Sequence, residues 1–227
     1  CEASDLVHFR NRIGEEGKEV ILAESIRVNT ENDNENHFNT AFIDSTVQEK
    51  NITYPTDAKL HKKIINRVLK IVREKNLPLR QSYQRTLKAI SRNQRFRNHP
   101  RNHRKAVKAD RSLRTIAGRL VREPDRNLPD RKGYEKMFEL FYKVLSQKRN
   151  SRNKIYSLHD PEVQGISKGK EHKKYEFGNK ASFIRSLSGI ILAAVSFRNE
   201  YDGHTIEASL QQTERMTGKR IDNLAGD

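Results

Sequence analysis

The run Phe38-Asn39-Thr40-Ala41-Phe42-Ile43-Asp44-Ser45-Thr46-Val47-Gln48 sets the architecture. It is rich in β-branched and aromatic residues and mostly apolar up to Asp44, so it reads as a strand with an acid where the apolar run ends. The last residues repeat that character: Arg220 to Asp227 contains Ile221-Asp222-Asn223-Leu224-Ala225-Gly226 and stops on Asp227. Ile155–Leu158, Tyr175–Ile184 and Ile190–Phe197 read as three further short strands, and Gly203–Thr217 as a helix.

Between the first strand and the others lies a long helical stretch. After Tyr54-Pro55, Thr56 or Asp57 caps a helix that buries Leu60, Ile64, Ile65, Val68, Leu69 and Val72, and Pro78 stops it. Leu113, Ile116, Ala117, Leu120 and Val121 recur at helical spacing, with Arg111, Arg114, Arg119 and Arg122 between them. Asn93–His103, with Pro100 inside it, reads as a loop, and Pro124, Pro129 and Gly133 as turn chemistry. Tyr134–Leu145 is another amphipathic helix, using Met137, Phe138, Phe141, Val144 and Leu145. Upstream, Asp5–Ala23 has loosely helical spacing interrupted by Gly14 and Gly17, and Thr30–Asn36 reads as a polar loop. The order is strand, helices, three strands, helix, strand: an α/β chain with a helical insertion after its first strand.

Composition narrows the partners. The 227 residues are 34% hydrophobic and 33% charged, with no Trp and a formal charge of +16. Between Arg80 and Lys132, 17 Lys and Arg face 4 acids, so this segment holds most of the excess. Such a balance favours a polyanion, and the planar fork of Arg suits phosphate. The residues placed against DNA are Arg85, Arg92, Arg95, Arg97, Arg101, Arg104, Arg111 and Arg114, joined by Lys168, Lys170 and Lys180. A solvated basic linker is the plainer alternative, which the apolar periodicity opposes. No run of about 20 apolar residues suggests a membrane span. With Cys1 as the one cysteine, neither an internal disulfide nor a cysteine-based zinc site is available.

Asp44 and Asp227 are the candidate catalytic and metal-binding acids. If their strands are neighbours in a parallel sheet, the two carboxylates converge and suit Mg²⁺ held between them and a phosphate. A strand that merely ends in Asp remains the alternative. His99 and His103 are four apart, but Pro100 between them and the lack of a nearby acid argue against a metal there.

Several blocks resemble the DDE class of bacterial insertion-sequence transposases. They are Asp44-Ser45-Thr46-Val47-Gln48-Glu49-Lys50-Asn51-Ile52-Thr53-Tyr54-Pro55-Thr56-Asp57, then Lys168-Gly169-Lys170 through Tyr175-Glu176-Phe177-Gly178-Asn179-Lys180, then Asp202-Gly203-His204-Thr205. Phe9-Arg10-Asn11-Arg12-Ile13-Gly14-Glu15-Glu16-Gly17 resembles the end of that family's N-terminal helical domain. The resemblance implies a ribonuclease-H-like mixed sheet with Asp44 as first acid, Asp227 as second, and a third, Glu, beyond residue 227. It implies a two-metal Mg²⁺ site, cleavage and strand transfer at transposon ends, and a homodimer at the bacterial nucleoid in the cytoplasm. On this reading the chain is a fragment truncated at both ends, opening on Cys1 rather than Met, and without that Glu it is inactive by itself. Its parts are 1–37, an N-terminal remnant and linker; 38–57, the first catalytic strand region; 58–150, the basic helical insertion; and 151–227, the rest of a core incomplete at its C-terminus. A catalytically inactive DNA-binding remnant or inhibitor of transposition is the alternative, with an RNA-binding protein third.

Overall fold

The computed structural model describes residues 2–31, 37–129, 131–167, 175–198 and 200–226. The chain forms two compact units, residues 51–165 and residues 1–50 with 166–227. Among the described residues there are six α-helices and a mixed sheet of five strands.

The helical unit contains α2 (Asp57–Glu74), α3 (Gln84–Asn93), α4 (Pro100–Asn127) and α5 (Glu135–Ser146). α2 starts where the Thr56 hydroxyl accepts a hydrogen bond from the Lys59 amide at 3.3 Å. It ends before Pro78: Asn76 is left-handed, and the Leu77 and Asn76 amides donate back to the Val72 and Arg73 carbonyls at 3.0 and 3.3 Å. That pattern satisfies the final carbonyls of the helix. Leu60, Ile64, Ile65, Val68 and Val72 are buried as the periodicity requires, whereas Leu69 is half-buried. They meet Leu113, Ile116, Ala117, Leu120 and Val121 of α4 and the edge-to-face pair Phe138–Phe141 of α5.

α4 begins earlier and ends later than its sequence suggests. Pro100 takes the first helical position, where its missing N–H costs no hydrogen bond, so Arg101 and His103 are helical rather than in a loop. Pro124 lies inside the helix, buried, and the Leu128 amide still donates to its carbonyl at 2.9 Å. Ile155–Leu158 forms no strand. The Gln147 side chain satisfies the Ile155 backbone instead, accepting from its N–H at 3.0 Å and donating to its carbonyl at 3.3 Å.

The other unit holds α1 (Ala3–Thr30), kinked at Gly14, with β1 (Thr40–Glu49), β3 (Glu176–Ser186), β4 (Ile191–Phe197), α6 (Ile206–Thr217) and β5 (Asn223–Gly226). A 3₁₀ turn, Asp202–Thr205, leads into α6. Of the polar loop expected at Thr30–Asn36, residues 32–36 lie outside the described residues. The main strand order is β2-β3-β1-β5, with β4 also on β3; β2 is the short strand Gln164–Ile166. β3 is antiparallel to both β1 and β4, while β5 is parallel to β1. Ala41, Ile184 and Ala193 form a buried cluster with Ile26 of α1, flanked by Ile43, Leu224 and, from α6, Leu210 and Met216.

His61 is buried on α2, and its Nδ1 has no hydrogen-bond partner among the described residues. Burial pushes its pKa down, partly opposed by Asp57. The folded imidazole therefore binds a proton more weakly than the unfolded one, and stability falls as pH drops below about 6.5. Thermal melts at pH 5, 6 and 7 should show this loss in the wild type and a flatter profile for His61→Leu; equal profiles would contradict it.

Candidate functional site

Asp44 projects from the middle of β1 and is exposed. It lies opposite Phe183 of β3 in the antiparallel register. Its side chain makes no ion pair or hydrogen bond among the described residues. Alternation along the strand sends its neighbour Ser45 to the other face. There the Ser45 hydroxyl donates to one oxygen of Asp202, and Lys180 Nζ donates to the other at 2.6 Å. Asp202 thus ties β1 and β3 to the 3₁₀ turn before α6.

On its other edge β1 runs parallel to β5: Thr40 pairs with Asn223, Ala41 with Leu224, Phe42 with Ala225 and Ile43 with Gly226. The two acid-terminated runs are therefore adjacent and co-directional up to the residues that precede Asp44 and Asp227. Asp227 itself lies outside the described residues, as do Lys168 and Lys170. Gly226 allows this approach, because a Cβ there would lie 2.8 Å from Ile43 Cγ2. Gly178 does the same on the β3 side, where a Cβ would stand 2.0 Å from the Gln48 carbonyl oxygen. Beside it the Lys50 amide donates to the Phe177 carbonyl at 2.9 Å.

In the Glu176–Lys180 segment, then, Glu176 is buried at the start of β3, Gly178 permits close strand pairing, and Lys180 is half-buried against Asp202. Neutralised in this way, Lys180 offers phosphate less than a free ammonium would. Among the described residues no group of three or more His, Cys, Asp or Glu is arranged to hold a metal. His99 is occupied as the cap of α4, accepting from the Arg101 amide at 3.2 Å.

The basic residues separate cleanly by unit. Residues 51–165 carry 30 Lys and Arg against 10 Asp and Glu; the remainder carry 15 against 19. Arg85 and Arg92 lie on α3, Arg95 and Arg97 in the turn after it, and Arg101, Arg104, Arg111 and Arg114 on α4. Arg97 is paired with Asp110, and Arg114 Nε donates to the Leu145 carbonyl at 2.8 Å. Arg85, Arg92, Arg95, Arg101, Arg104 and Arg111 are exposed and make no ion pair among the described residues. Sequence reasoning left Arg126 out altogether and noted Arg119 and Arg122 without placing them in a site. Two surface grooves flank α4. Arg80, Arg119 and Arg126 line one, Arg111, Arg114 and Lys143 line the other, and Arg122 lines both. Extending the helical period of α4 beyond Val121 would have found Arg126.

Against known proteins, the chain is 33% identical over 89 residues to an "Uncharacterized protein ORF8 in nfe locus" of Rhizobium meliloti. That match covers 38% of this chain and 43% of the other protein, so the chain spans less than half of that relative's length. No family profile matches, and no solved structure matches. Among the described residues no helix is long and apolar enough to cross a membrane.

Gly178→Ala should destabilise the sheet unit by about 1–3 kcal/mol, the range for forced overpacking, because its Cβ meets backbone that cannot rotate away. Urea unfolding would measure this. A midpoint equal to the wild type would show that β1 and β3 are not so tightly joined.

Proposed function

We propose that this chain belongs to a Mg²⁺-dependent DNA transposase of the DDE type, with a ribonuclease-H-like sheet and Asp44 and Asp227 as paired metal-binding acids. The observation that carries the reading is the parallel β1–β5 ladder, which sets Ile43 opposite Gly226. Two acid-bearing segments far apart in sequence thus run side by side in one direction, although β1 continues past Asp44 to Glu49 rather than ending there. Strand directions agree with the fold proposed: antiparallel β4-β3-β1, then a parallel β5 on the far edge of β1.

The chemistry of the donors fits the metal. Asp44 is a hard oxygen ligand, exposed and without a competing ion pair among the described residues. Mg²⁺ binds through one or two carboxylates while keeping waters and substrate phosphates, so a larger protein cage is not required. Bound there, it would activate the attacking oxygen and stabilise the leaving one in an in-line displacement at phosphorus. Asp44 stands on a fixed backbone, because β1 is hydrogen-bonded to β3 through this position and to β5 just before it. Asp202, by engaging Ser45 and Lys180, holds the same segment from the opposite face. The helical unit supplies the duplex contact through the exposed arginines of α3 and α4.

DNA binding without cleavage is a second reading, favoured by the cationic helical unit taken alone. One assay separates the two, using a duplex that carries the flanks of the chain's own gene. Nicking by the catalytic form, which carries the third acid Glu, should require Mg²⁺ and stop with EDTA. Asp44→Asn should lower it by about 10²–10³-fold, the loss typical of removing a transition-state electrostatic group, with binding retained. If 6–10 phosphates are contacted, affinity should fall about 10³–10⁵-fold between 50 and 200 mM salt. Nicking indifferent to Asp44 removes the catalytic assignment. Metal-independent, salt-sensitive binding with no nicking leaves the binding module.

A further inference from the structure

Phe96 is 79% exposed. It occupies the turn at residues 94–99 between α3 and α4, and its φ of +50° is left-handed, a conformation costly for a bulky side chain. Nothing about core packing explains an apolar ring held there.

The turn that presents it is tied down. Gln94 Nε2 donates to one oxygen of Asp110 at 2.7 Å, and Arg97 donates to the other. The Arg95 amide donates to the Arg92 carbonyl at 3.1 Å, and the His99 amide to the Phe96 carbonyl at 3.0 Å. Asp110 therefore anchors this turn to α4 on both sides of the ring. The surroundings are cationic: no acid occurs between Glu74 and Asp110, and Arg92, Arg95 and Arg101 are exposed without an ion pair among the described residues.

A flat apolar ring on a braced turn, among guanidinium groups, matches a flat apolar face bordered by phosphates. Nucleobases have that form, and proteins engage them by stacking an aromatic ring or wedging it between base steps. A membrane surface fits less well, because interfacial anchoring needs a wider apolar face than one ring. We infer that Phe96 stacks on a DNA base while Arg92, Arg95 and Arg101 hold the adjoining phosphates. This rests on the DNA-binding half of the function proposed above and not on its metal chemistry.

The chain has no Trp, so Phe96→Trp introduces a single indole at the contact. The full chain would be titrated in EDTA with a fluorescent 20-mer, duplex or single-stranded, following anisotropy and indole emission. Phe96→Ala should weaken binding about ten- to a hundredfold, the range for one lost base stack. Phe96→Trp should keep the wild-type affinity, with its emission quenched at saturation. Loss on the duplex places the ring between stacked pairs, and loss confined to the single strand places it on an opened base; either upholds the inference. Full affinity of Phe96→Ala, or unquenched indole with DNA bound, overturns it and leaves the function above standing. Tighter capture by phosphatidylserine vesicles than by DNA also overturns it. No DNA binding by the wild type would sink the function above together with this inference.

Discussion

The structure of the sheet unit depends on β1 being hydrogen-bonded along both edges. β3 pairs with it antiparallel over nine residues, and β5 pairs with it parallel over four. A strand in that position cannot shift register without breaking two ladders and turning its buried side chains outward. Ala41, Ile43, Ser45 and Val47 are thereby committed to one face, and Phe42, Asp44 and Thr46 to the other. The glycines at 178 and 226 belong to the same constraint, since each lies where a Cβ would collide with β1. Asp202 extends it across the covered face by engaging Ser45 and Lys180.

The second organising fact is a division of labour in charge. One unit buries its apolar residues among helices and presents a surplus of Lys and Arg. The other folds around a sheet and has slightly more acids than bases. Asp110, one of the acids within the basic unit, is used to brace a turn: its oxygens serve Gln94 and Arg97.

Much of the fold was legible where one local rule had no competitor. The period-3.6 stripes at Leu60–Val72, Leu113–Val121 and Phe138–Val144 appear as buried helix faces, and β1, β3, β4 and β5 lie close to their expected places. Errors arose where a residue type carries two meanings. Pro100 reads as a loop residue although proline also suits the first turn of a helix, and Pro124 reads as a stop although α4 continues through it. Ile155–Leu158 has a strand's composition, but a Gln side chain fills the role of a partner strand. For the candidate site, Asp44 was legible as an acid closing an apolar run. The bond between Asp202 and Ser45 was not, because 157 residues separate them.

Sequence alone determined most of the helices and strands, the helical insertion, the concentration of positive charge and the two acid-bearing runs, since all of these follow from neighbours within a few residues. Tertiary structure decided which strands became neighbours and in which direction. It also decided which basic groups were spent on internal partners and which aromatic rings were left in solvent. Those outcomes depend on chain segments meeting after long detours, where backbone hydrogen bonding and close packing rather than local composition select the pairing.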